Sequence, residues 1–587
     1  MDITKEIIEY EVVEWVNTYF DDSFSFRKYQ KETCVDIIYS FLTGERNYIL
    51  EAPTGSGKSI MAMIIGGVLT SYHKKRGYVL ISDLSLIEQY ERDVRRFSLD
   101  SFGVIKGQEN YNCPMEGISF KNARCQVRGD KDYFGLYTQA KKCPSGSECA
   151  YLMARFHALE TDLTICTYHL WLTYQNMEMT KAFGDEAPFG KRDFIICDEA
   201  HKLVDIIQSM YSIRISNAER NIVTSITSVR KDEFSPRDKK IQNAFDNILE
   251  NSDNIETLFH EVVKLRDLLD EHCDGGRLTM QKSDDYDLPH YKCVKLSHAV
   301  NALDEYLQSI NMFIASVSGK LDQIVVTKTN YPEEIMTLNC LDEKYLMEKL
   351  FYPHYTNALF MSATIGDPEV FATNAHMNSY KAVRLDSTFD FTKSPIFYCP
   401  TYKMNYENKE TSIPHIIEMI KNIVSMFPDR RGCILTSSYD MMRKIYNSVD
   451  DDIKERMLTY DNSKNKREVL GKFRYYENAI LIGPSLFDGL SFDDDLCRFL
   501  IIAKVPYPDL SSNFIKKKMQ TNFLWYSGQA SLSIIQGVGR GVRSENDWCY
   551  SFILDGCIEK LLEINSKMYG KQILSRFIKI DENLKII

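Results

Sequence analysis

Short runs of apolar residues, each followed by a turn and a stretch with helical spacing, recur toward both ends of the chain. Unbroken apolar strands that alternate with helices are typical of parallel sheets covered by helices on both faces. The number of runs is sufficient for two α/β domains. The runs are residues 48–50, 78–81, 163–166, 194–197, 358–361, 433–436, 479–482 and 499–502.

The middle of the chain has a different pattern, with apolar residues repeating at helical spacing over 241–249, 258–269 and 303–314. Such a repeat indicates helices that bury one face. We therefore predict that residues 213–350 form a mainly helical insertion that interrupts the first α/β domain. Residues 274–276 and 282–285 are its predicted loops because they are rich in glycine or polar residues.

The composition indicates a large protein with several cores and no global attraction to nucleic acid. The chain has 587 residues, 44% of them hydrophobic, and a net charge of −11. An acidic balance argues weakly against a nucleic-acid role, so any such surface must be local. No apolar run approaches the ~18 residues that a membrane span requires, and the first residues mix charges with apolar positions. We expect no membrane segment and no secretion signal.

A glycine-rich loop lies between the apolar run at 48–50 and an apolar helical stretch. In such a unit, backbone N–H groups and the helix N-terminus point at a polyphosphate, and glycine lets the backbone approach closely. Lys58 would neutralise the β and γ phosphates, and Ser59 would hold Mg²⁺. The first motif position is Ala52 rather than glycine, but the strand–loop–helix context supports the same prediction. The predicted ATP-binding loop consists of Thr54, Gly55, Ser56, Gly57, Lys58 and Ser59.

Two carboxylates follow the apolar run at 194–197. Asp198 and Glu199 would lie at the carboxyl edge of the sheet, where α/β folds bind ligands. Asp198 would reach Mg²⁺, and Glu199 would orient and deprotonate the attacking water. His201 either couples this site to its neighbours or has a structural role.

A third candidate element lies at 536–543 and contains Gln536, Arg540 and Arg543. The two arginines are three residues apart, on one face if the segment is helical. A planar guanidinium that is always protonated suits the charge that accumulates on a transferring phosphoryl group. The alternative is the start of a solvated basic helix. This alternative is less favoured, because a segment so rich in glycine has a low intrinsic helix propensity.

These elements occur in the order of superfamily 2 helicases, with 362–364 between the acidic pair and the arginines. More closely, the chain resembles the XPD/DinG family. Arg27 and Gln30 match the family's adenine-side motif, and Asp488 stands where the family usually has glutamate. The resemblance therefore implies that Arg27, Gln30 and Asp488 contribute to nucleotide binding. Further matching segments are 82–89, 106–107, 110–113, 167–170, 436–439, 488–492 and 503–508.

The resemblance implies two RecA-like motor domains with two insertions. The first motor domain would comprise 1–107, 161–212 and 351–385, and the second would comprise 386–587. An iron–sulfur domain would occupy 108–160, and the arch domain would coincide with the helical insertion at 213–350.

Four cysteines cluster in the first of these insertions: Cys113, Cys125, Cys143 and Cys149. Four thiolates suit either a [4Fe–4S] cluster or tetrahedral zinc, and a purely structural role is also open. Zinc sites usually contain a tight cysteine pair, which is absent here, so the spacing slightly favours iron–sulfur. The resemblance implies a [4Fe–4S] cluster.

The function implied by the resemblance is ATP-dependent unwinding of DNA by 5′–3′ movement along one strand. ATP, Mg²⁺ and the [4Fe–4S] cluster are the expected cofactors, and single-stranded, forked or junction DNA is the expected partner of a monomeric motor. A cytoplasmic location in a prokaryotic or virus-infected cell fits the short length. A translocase that displaces proteins or branched structures without processive unwinding would have the same motifs, whereas a nonmotor ATP-gated binding protein would need degraded catalytic residues. The lysines at 516–518 either track phosphates or form a solvated face.

Overall fold

The computed structural model describes most of the 587-residue chain. The described residues are 3–21, 24–53, 55–115, 117–123, 148–176, 189–230, 236–281, 290–329, 334–387, 391–460, 463–484, 486, 494–539, 541 and 547–587. Six predicted site residues lie outside this part of the chain: Thr54, Cys125, Cys143, Asp488, Arg540 and Arg543.

The strands are numbered in chain order. They are β1 Asn47–Glu51, β2 Gly77–Ile81, β3 Phe102–Val104, β4 Leu163–Thr167, β5 Phe194–Asp198, β6 Ile213–Ile215, β7 Ile324–Thr329, β8 Ile335–Cys340, β9 Asn357–Ser362, β10 Lys381–Arg384, β11 Ile396–Tyr398, β12 Gly432–Leu435, β13 Met457–Leu458, β14 Ile480–Gly483, β15 Phe499–Ile502, β16 Tyr550–Ile553 and β17 Phe577–Lys579.

The α-helices are numbered in the same way. They are α1 Lys5–Tyr19, α2 Gln30–Leu42, α3 Lys58–Ser71, α4 Leu84–Arg96, α5 Ala150–Glu160, α6 Tyr168–Asn176, α7 Leu203–Met210, α8 Asn217–Arg230, α9 Pro236–Glu250, α10 Ile255–Gln281, α11 His290–Val317, α12 Glu343–Leu346, α13 Pro368–Asn374, α14 Lys409–Ser425, α15 Tyr439–Ser448, α16 Asp451–Arg456, α17 Ser463–Tyr475, α18 Asn513–Thr521, α19 Phe523–Val538, α20 Ile558–Ile564 and α21 Ser566–Leu574. In the described part of the chain, no helix combines the length and the apolar run needed for a bilayer span.

Two seven-stranded sheets form the two α/β domains, as predicted. The first has the order β10-β1-β9-β5-β2-β4-β3, and the second has the order β13-β14-β12-β15-β16-β11-β17. Every strand pair in both sheets is parallel. Six of the eight apolar runs lie within these strands, and the runs at 433–436 and 479–482 each extend one residue beyond their strand. A strand covered on both faces requires apolar residues at consecutive positions.

The middle of the chain forms a helical unit with its own core. Helices α8 to α11 pack together around buried residues such as Phe245, Leu265 and Leu303. A three-stranded antiparallel sheet with the order β6-β8-β7 joins them, and the helical pattern did not predict it. The predicted loop at 274–276 is wrong, because α10 continues through it to Gln281. Packing of α10 against α11 outweighs the helix-breaking tendency of the two glycines.

Candidate active site

The first sheet brings three strand ends to one edge. Strands β1 and β5 both pair with β9, with Glu51 beside Ser362 and Asp198 beside Met361. Because the strands are parallel, the residues that follow them meet at the carboxyl edge of the sheet. The glycine-rich loop, the acidic pair and the 362–364 segment therefore lie next to one another.

The glycine-rich loop has the backbone that its glycines allow. Gly55 and Gly57 have φ values of 82° and 79°, in the left-handed region that favours glycine. Helix α3 begins at Lys58, so its N-terminus faces the loop. The Lys58 ammonium donates to the Ala52 carbonyl at 3.2 Å. This arrangement of loop, helix N-terminus and lysine suits a polyphosphate.

Arg27 and Gln30 support this loop from its outer side. The Gln30 amide donates to the Ser56 carbonyl at 3.1 Å and accepts from the Arg27 backbone N–H at 2.9 Å. Arg27 also donates to the Gly55 carbonyl. A cavity of about 610 Å³ lies beside Arg27, between α1 and the start of α2, with Phe24 and Phe26 in its wall. Both predicted adenine-side residues are thus in contact with the predicted phosphate loop.

Asp198 is buried and held by a tyrosine. The Tyr90 hydroxyl donates to an Asp198 carboxylate oxygen at 2.9 Å and also lies within hydrogen-bonding reach of Ser59. Burial raises the pKa of Asp198, the charge of Glu199 raises it further, and Lys58 opposes both. The Asp198 carboxylate and the Ser59 hydroxyl thus both contact Tyr90, and oxygen ligands of these kinds are those that Mg²⁺ prefers. Ser59 and Asp198 therefore fit the predicted magnesium site.

Glu199 lies in a network of hydrogen bonds with Ser362 and His201. The Ser362 hydroxyl donates to Glu199 at 2.9 Å and lies 2.9 Å from the His201 ring Nδ1. The pKa of Glu199 lies below its ordinary value: burial raises it, but His201, Lys58 and Ser362 lower it by more. Glu199 has a φ of 51°, so its backbone is in the left-handed region at this turn. The Glu199 carboxylate is thus held in its ionised form and fixed by the Ser362 hydroxyl.

The second domain reaches this network through Gln536. The Gln536 amide nitrogen lies 3.0 Å from His201 Nε2 and donates to the Thr364 hydroxyl at 3.3 Å. Gln536 is near the end of α19, which terminates at Val538, immediately before the segment that carries the two predicted arginines. A continuous path of contacts therefore runs from Glu199 through Ser362 and His201 to the opposite domain.

Two of the four clustered cysteines lie in the described part of the chain. Cys113 and Cys149 are largely buried, at 9% and 6% exposure, and Cys149 packs in the same core as Phe120 and Tyr151. Among the described residues, no group of three or more His, Cys, Asp or Glu side chains could hold a metal ion.

The lysine run at 516–518 is divided by the fold. Lys516 and Lys517 are exposed on α18, whereas Lys518 is buried with 6% exposure. Lys518 therefore does not belong to a solvated face and is not available to track phosphates.

The sequence did not single out Tyr90 or Glu51, although both contribute to the site. Glu51 accepts hydrogen bonds from the backbone N–H groups of Ile365 and Gly366 and forms an ion pair with Arg384 at 2.7 Å. Tyr90 follows the matched 82–89 segment by one residue, which is a weak signal. Glu51 immediately precedes the loop, but only the tertiary fold reveals its partners.

Two family descriptions match parts of the chain. Residues 420–575 match the helicase C-terminal domain. Residues 23–229 match the res subunit of type III restriction enzymes. The first match falls on the second α/β domain, and the other covers the N-terminal part of the first α/β domain and extends into α8.

Curated relatives match almost the whole chain at low identity. The chain is 22% identical over 585 residues to the ATP-dependent DNA helicase YoaA of Escherichia coli K12, covering 89% of this chain and 90% of the relative. It is 20% identical over 671 residues to the ATP-dependent DNA helicase DinG of the same strain, covering 93% of this chain and 91% of that protein.

Solved structures show the same fold. An XPD helicase structure superposes with a TM-score of 0.59 at 15% identity, covering 95% of this chain and all of that one. The structure of Xpd4 from S. tokodaii gives a TM-score of 0.57 at 13% identity, covering 94% of this chain and all of that one. These likenesses confirm the predicted pair of RecA-like domains.

Proposed function

Because the chain is an XPD/DinG-like superfamily 2 helicase, we propose that it is an ATP-dependent DNA helicase that moves 5′–3′ along single-stranded DNA. Forked or junction DNA is its proposed substrate, and a single copy of the chain is the proposed motor. The observation that carries this proposal is the contact path from Glu199 through Ser362 and His201 to Gln536. It connects the group that would activate water to the domain that must move.

ATP would bind between the two domains with its phosphates on the glycine-rich loop. Lys58 would neutralise the β and γ phosphates, and the N–H groups at the start of α3 would bind phosphate oxygens. Ser59 and Asp198 would hold Mg²⁺, which would help to neutralise the charge of the phosphates. Arg27 and Gln30 would contact the adenine side, next to the cavity under α1.

Glu199 would accept the proton of the attacking water. Its lowered pKa keeps it ionised, and the Ser362 hydroxyl fixes one of its oxygens so that the other can face the water. Closure of the second domain would bring Arg540 and Arg543 to the γ-phosphate, where guanidinium groups stabilise the transition-state charge. The contact between Gln536 and His201 would couple this closure to the catalytic site. Repeated closing and opening would then move the strand.

A [4Fe–4S] cluster bound by Cys113, Cys125, Cys143 and Cys149 is part of the proposal, with the four thiolates as ligands. The burial of Cys113, and that of Cys149 in the same core as Phe120 and Tyr151, is consistent with ligands shielded from solvent. Anaerobic purification followed by iron and zinc analysis and visible spectroscopy tests it. A brown protein with about four irons per chain is expected, and a colourless protein that contains zinc would contradict it.

The central experiment measures ATP hydrolysis and strand separation by the purified chain. Wild-type protein should hydrolyse ATP faster with single-stranded DNA and unwind a duplex with a 5′ tail but not one with a 3′ tail. Lys58→Ala and Glu199→Gln should abolish both activities, whereas Lys472→Met, at an exposed lysine outside every candidate site, should retain them. Turnover retained by either site variant would overturn the catalytic assignment. Displacement of a bound protein without unwinding would identify the chain as a translocase instead.

A further inference from the structure

Lys518 is a buried cation of the second domain that lies among groups of the first domain and the adjoining helical unit. Its ammonium is 2.5 Å from the Glu343 carboxylate and 3.6 Å from that of Asp205. It also donates to the Gln208 side-chain carbonyl at 3.1 Å. The indole ring of Trp525, from its own domain, lies 4.1 Å away on another side. These four contacts satisfy the charge of a side chain that is only 8% exposed.

The partners of Lys518 are directly connected to the catalytic elements. Asp205 and Gln208 lie on α7, which starts two residues after His201. Glu343 begins α12, between the helical unit and the strand β9 that ends at Ser362. Movement at Lys518 therefore acts on α7, which follows Asp198 and Glu199, and on α12, which precedes the strand that ends at Ser362.

On the other side of the cleft, one helix is linked to both interdomain contacts, directly through Gln536 and indirectly through Trp525, which packs on Lys518. Trp525 and Gln536 lie near opposite ends of α19, about 16 Å apart at ~1.5 Å per residue. Trp525 packs on Lys518, and Gln536 contacts His201 at the catalytic site. The second domain thus contacts the rest of the chain at two separate points, one at the nucleotide site through Gln536 and one remote from it through Lys518.

We propose that Lys518, Glu343 and Asp205 form an interdomain latch that holds the second domain closed over the nucleotide site. Lys518 is accordingly a positioning residue for ATP hydrolysis, and this inference rests on the proposed function. A charged contact suits a joint that must open, because each group regains water when the domains separate. The neighbouring contacts between Asn522 and Asn374 and between Asn513 and the Val326 carbonyl are also polar. An interface of this kind is typical of domains that move relative to each other.

Loss of the latch has a kinetic signature that differs from a loss of folding. ATP contacts both domains, so a less populated closed state raises the apparent KM for ATP. The catalytic groups themselves are intact, so the turnover number at saturating ATP is retained. Misfolding would instead lower the amount of active enzyme, which reduces kcat and leaves KM unchanged.

The test compares Lys518→Met with Lys517→Met, which removes the exposed charge next to it on the same helix. With saturating single-stranded oligonucleotide, Lys518→Met should raise the KM for ATP about tenfold, within the usual range of coupling between sites, and keep kcat. Because the oligonucleotide is saturating, a contact of Lys517 with DNA phosphates would affect the KM for DNA alone, so Lys517→Met should leave the KM for ATP and kcat as in the wild type. A KM for Lys518→Met equal to that of Lys517→Met, or a fall in kcat alone, would overturn the latch.

Two further variants keep the inference testable if Lys518→Met does not fold. Glu343→Gln should raise KM in the same direction by a smaller factor, since Asp205 still pairs with the lysine, and an unchanged KM would refute the proposal. If the wild-type chain lacks DNA-stimulated ATPase activity, the proposed function fails on its own. Hydrogen exchange of residues 203–210 then tests the latch separately: it should accelerate in Lys518→Met but not in Lys517→Met, and equal exchange would refute the contact.

Discussion

Replacing Ser362 with alanine should slow ATP hydrolysis without weakening ATP binding. The hydroxyl donates to Glu199 at 2.9 Å and contacts His201 at 2.9 Å, and the side chain is fully buried. The serine backbone would keep its bond to the Ala52 N–H at 2.9 Å, so the glycine-rich loop should retain its position. The substitution removes the link between Glu199 and His201, together with the hydroxyl that accepts from the Thr364 backbone N–H at 3.2 Å.

The size of the effect follows from the charge on Glu199. A hydrogen bond to a charged group contributes about 1.5–3 kcal/mol. If this stabilisation acts mainly in the transition state, at ~1.4 kcal/mol per factor of ten, kcat should fall about ten- to hundredfold. Ser362 does not contact the phosphate loop through its side chain, so the KM for ATP should stay within about twofold of the wild-type value.

The assay is steady-state ATP hydrolysis with saturating single-stranded DNA, measured for Ser362→Ala and Ser362→Thr. Threonine retains a hydroxyl, so it should recover part of the lost rate. Ser316→Ala is the matched control, since it removes a buried hydroxyl of the helical unit that donates to the Phe313 carbonyl of its own helix. A normal kcat in Ser362→Ala, or an equal loss in Ser316→Ala, would refute the assigned path.

Three other substitutions test separate parts of the structure. Gly57→Ala should abolish ATP binding, measured by titration, because a Cβ at this position would lie 2.3 Å from the Gln30 amide. The control Gly44→Ala, which also has a positive φ but lies in open space, should bind ATP normally. Equal binding by both variants would contradict this prediction. Arg498→Met should lower the free energy of unfolding, measured in urea, by about 3–5 kcal/mol. The substitution leaves the buried Asp547 carboxylate without the guanidinium that now lies 2.6 Å away. A smaller loss of stability than in Arg95→Met, which changes an exposed arginine, would contradict this prediction. Asp36→Asn should destabilise the fold at pH 7 but have little effect near pH 2. Burial raises the pKa of Asp36, but hydrogen bonds from Lys381, Lys5 and Tyr48 lower it to about 2. The stabilisation by Asp36 is therefore present above the pKa of the unfolded state and is lost as the pH falls through about 2. Unfolding curves at both pH values measure this, and a pH-independent difference would contradict it.

The features that the sequence predicted are those encoded by local pattern. The run at 194–197 is apolar at each position because β5 is covered on both faces, and the glycines at 55 and 57 are needed for a left-handed backbone. Such signals depend on neighbouring residues alone. They were sufficient to predict both parallel sheets and to place the phosphate loop and the acidic pair at a common edge.

The features that the sequence did not reveal depend on distant contacts. Nothing near Lys518 indicates that it is buried, since its partner Glu343 is 175 positions away and belongs to another unit. Likewise, β7 and β8 follow long helices, and the pairing of β8 with β6 joins strands that are more than a hundred residues apart in the chain. Tyr90 acquires its role only because α4 packs where its hydroxyl meets Asp198.

The central claim is that ATP lies in a cleft with a lysine and paired carboxylates on one wall and guanidinium groups on the other. A structure of the chain with Mg²⁺, a nonhydrolysable ATP analogue and single-stranded DNA tests it most directly. We expect the γ-phosphate to contact Lys58 from the first domain and Arg540 or Arg543 from the second. A bound analogue with both arginines directed away from the γ-phosphate would contradict the account.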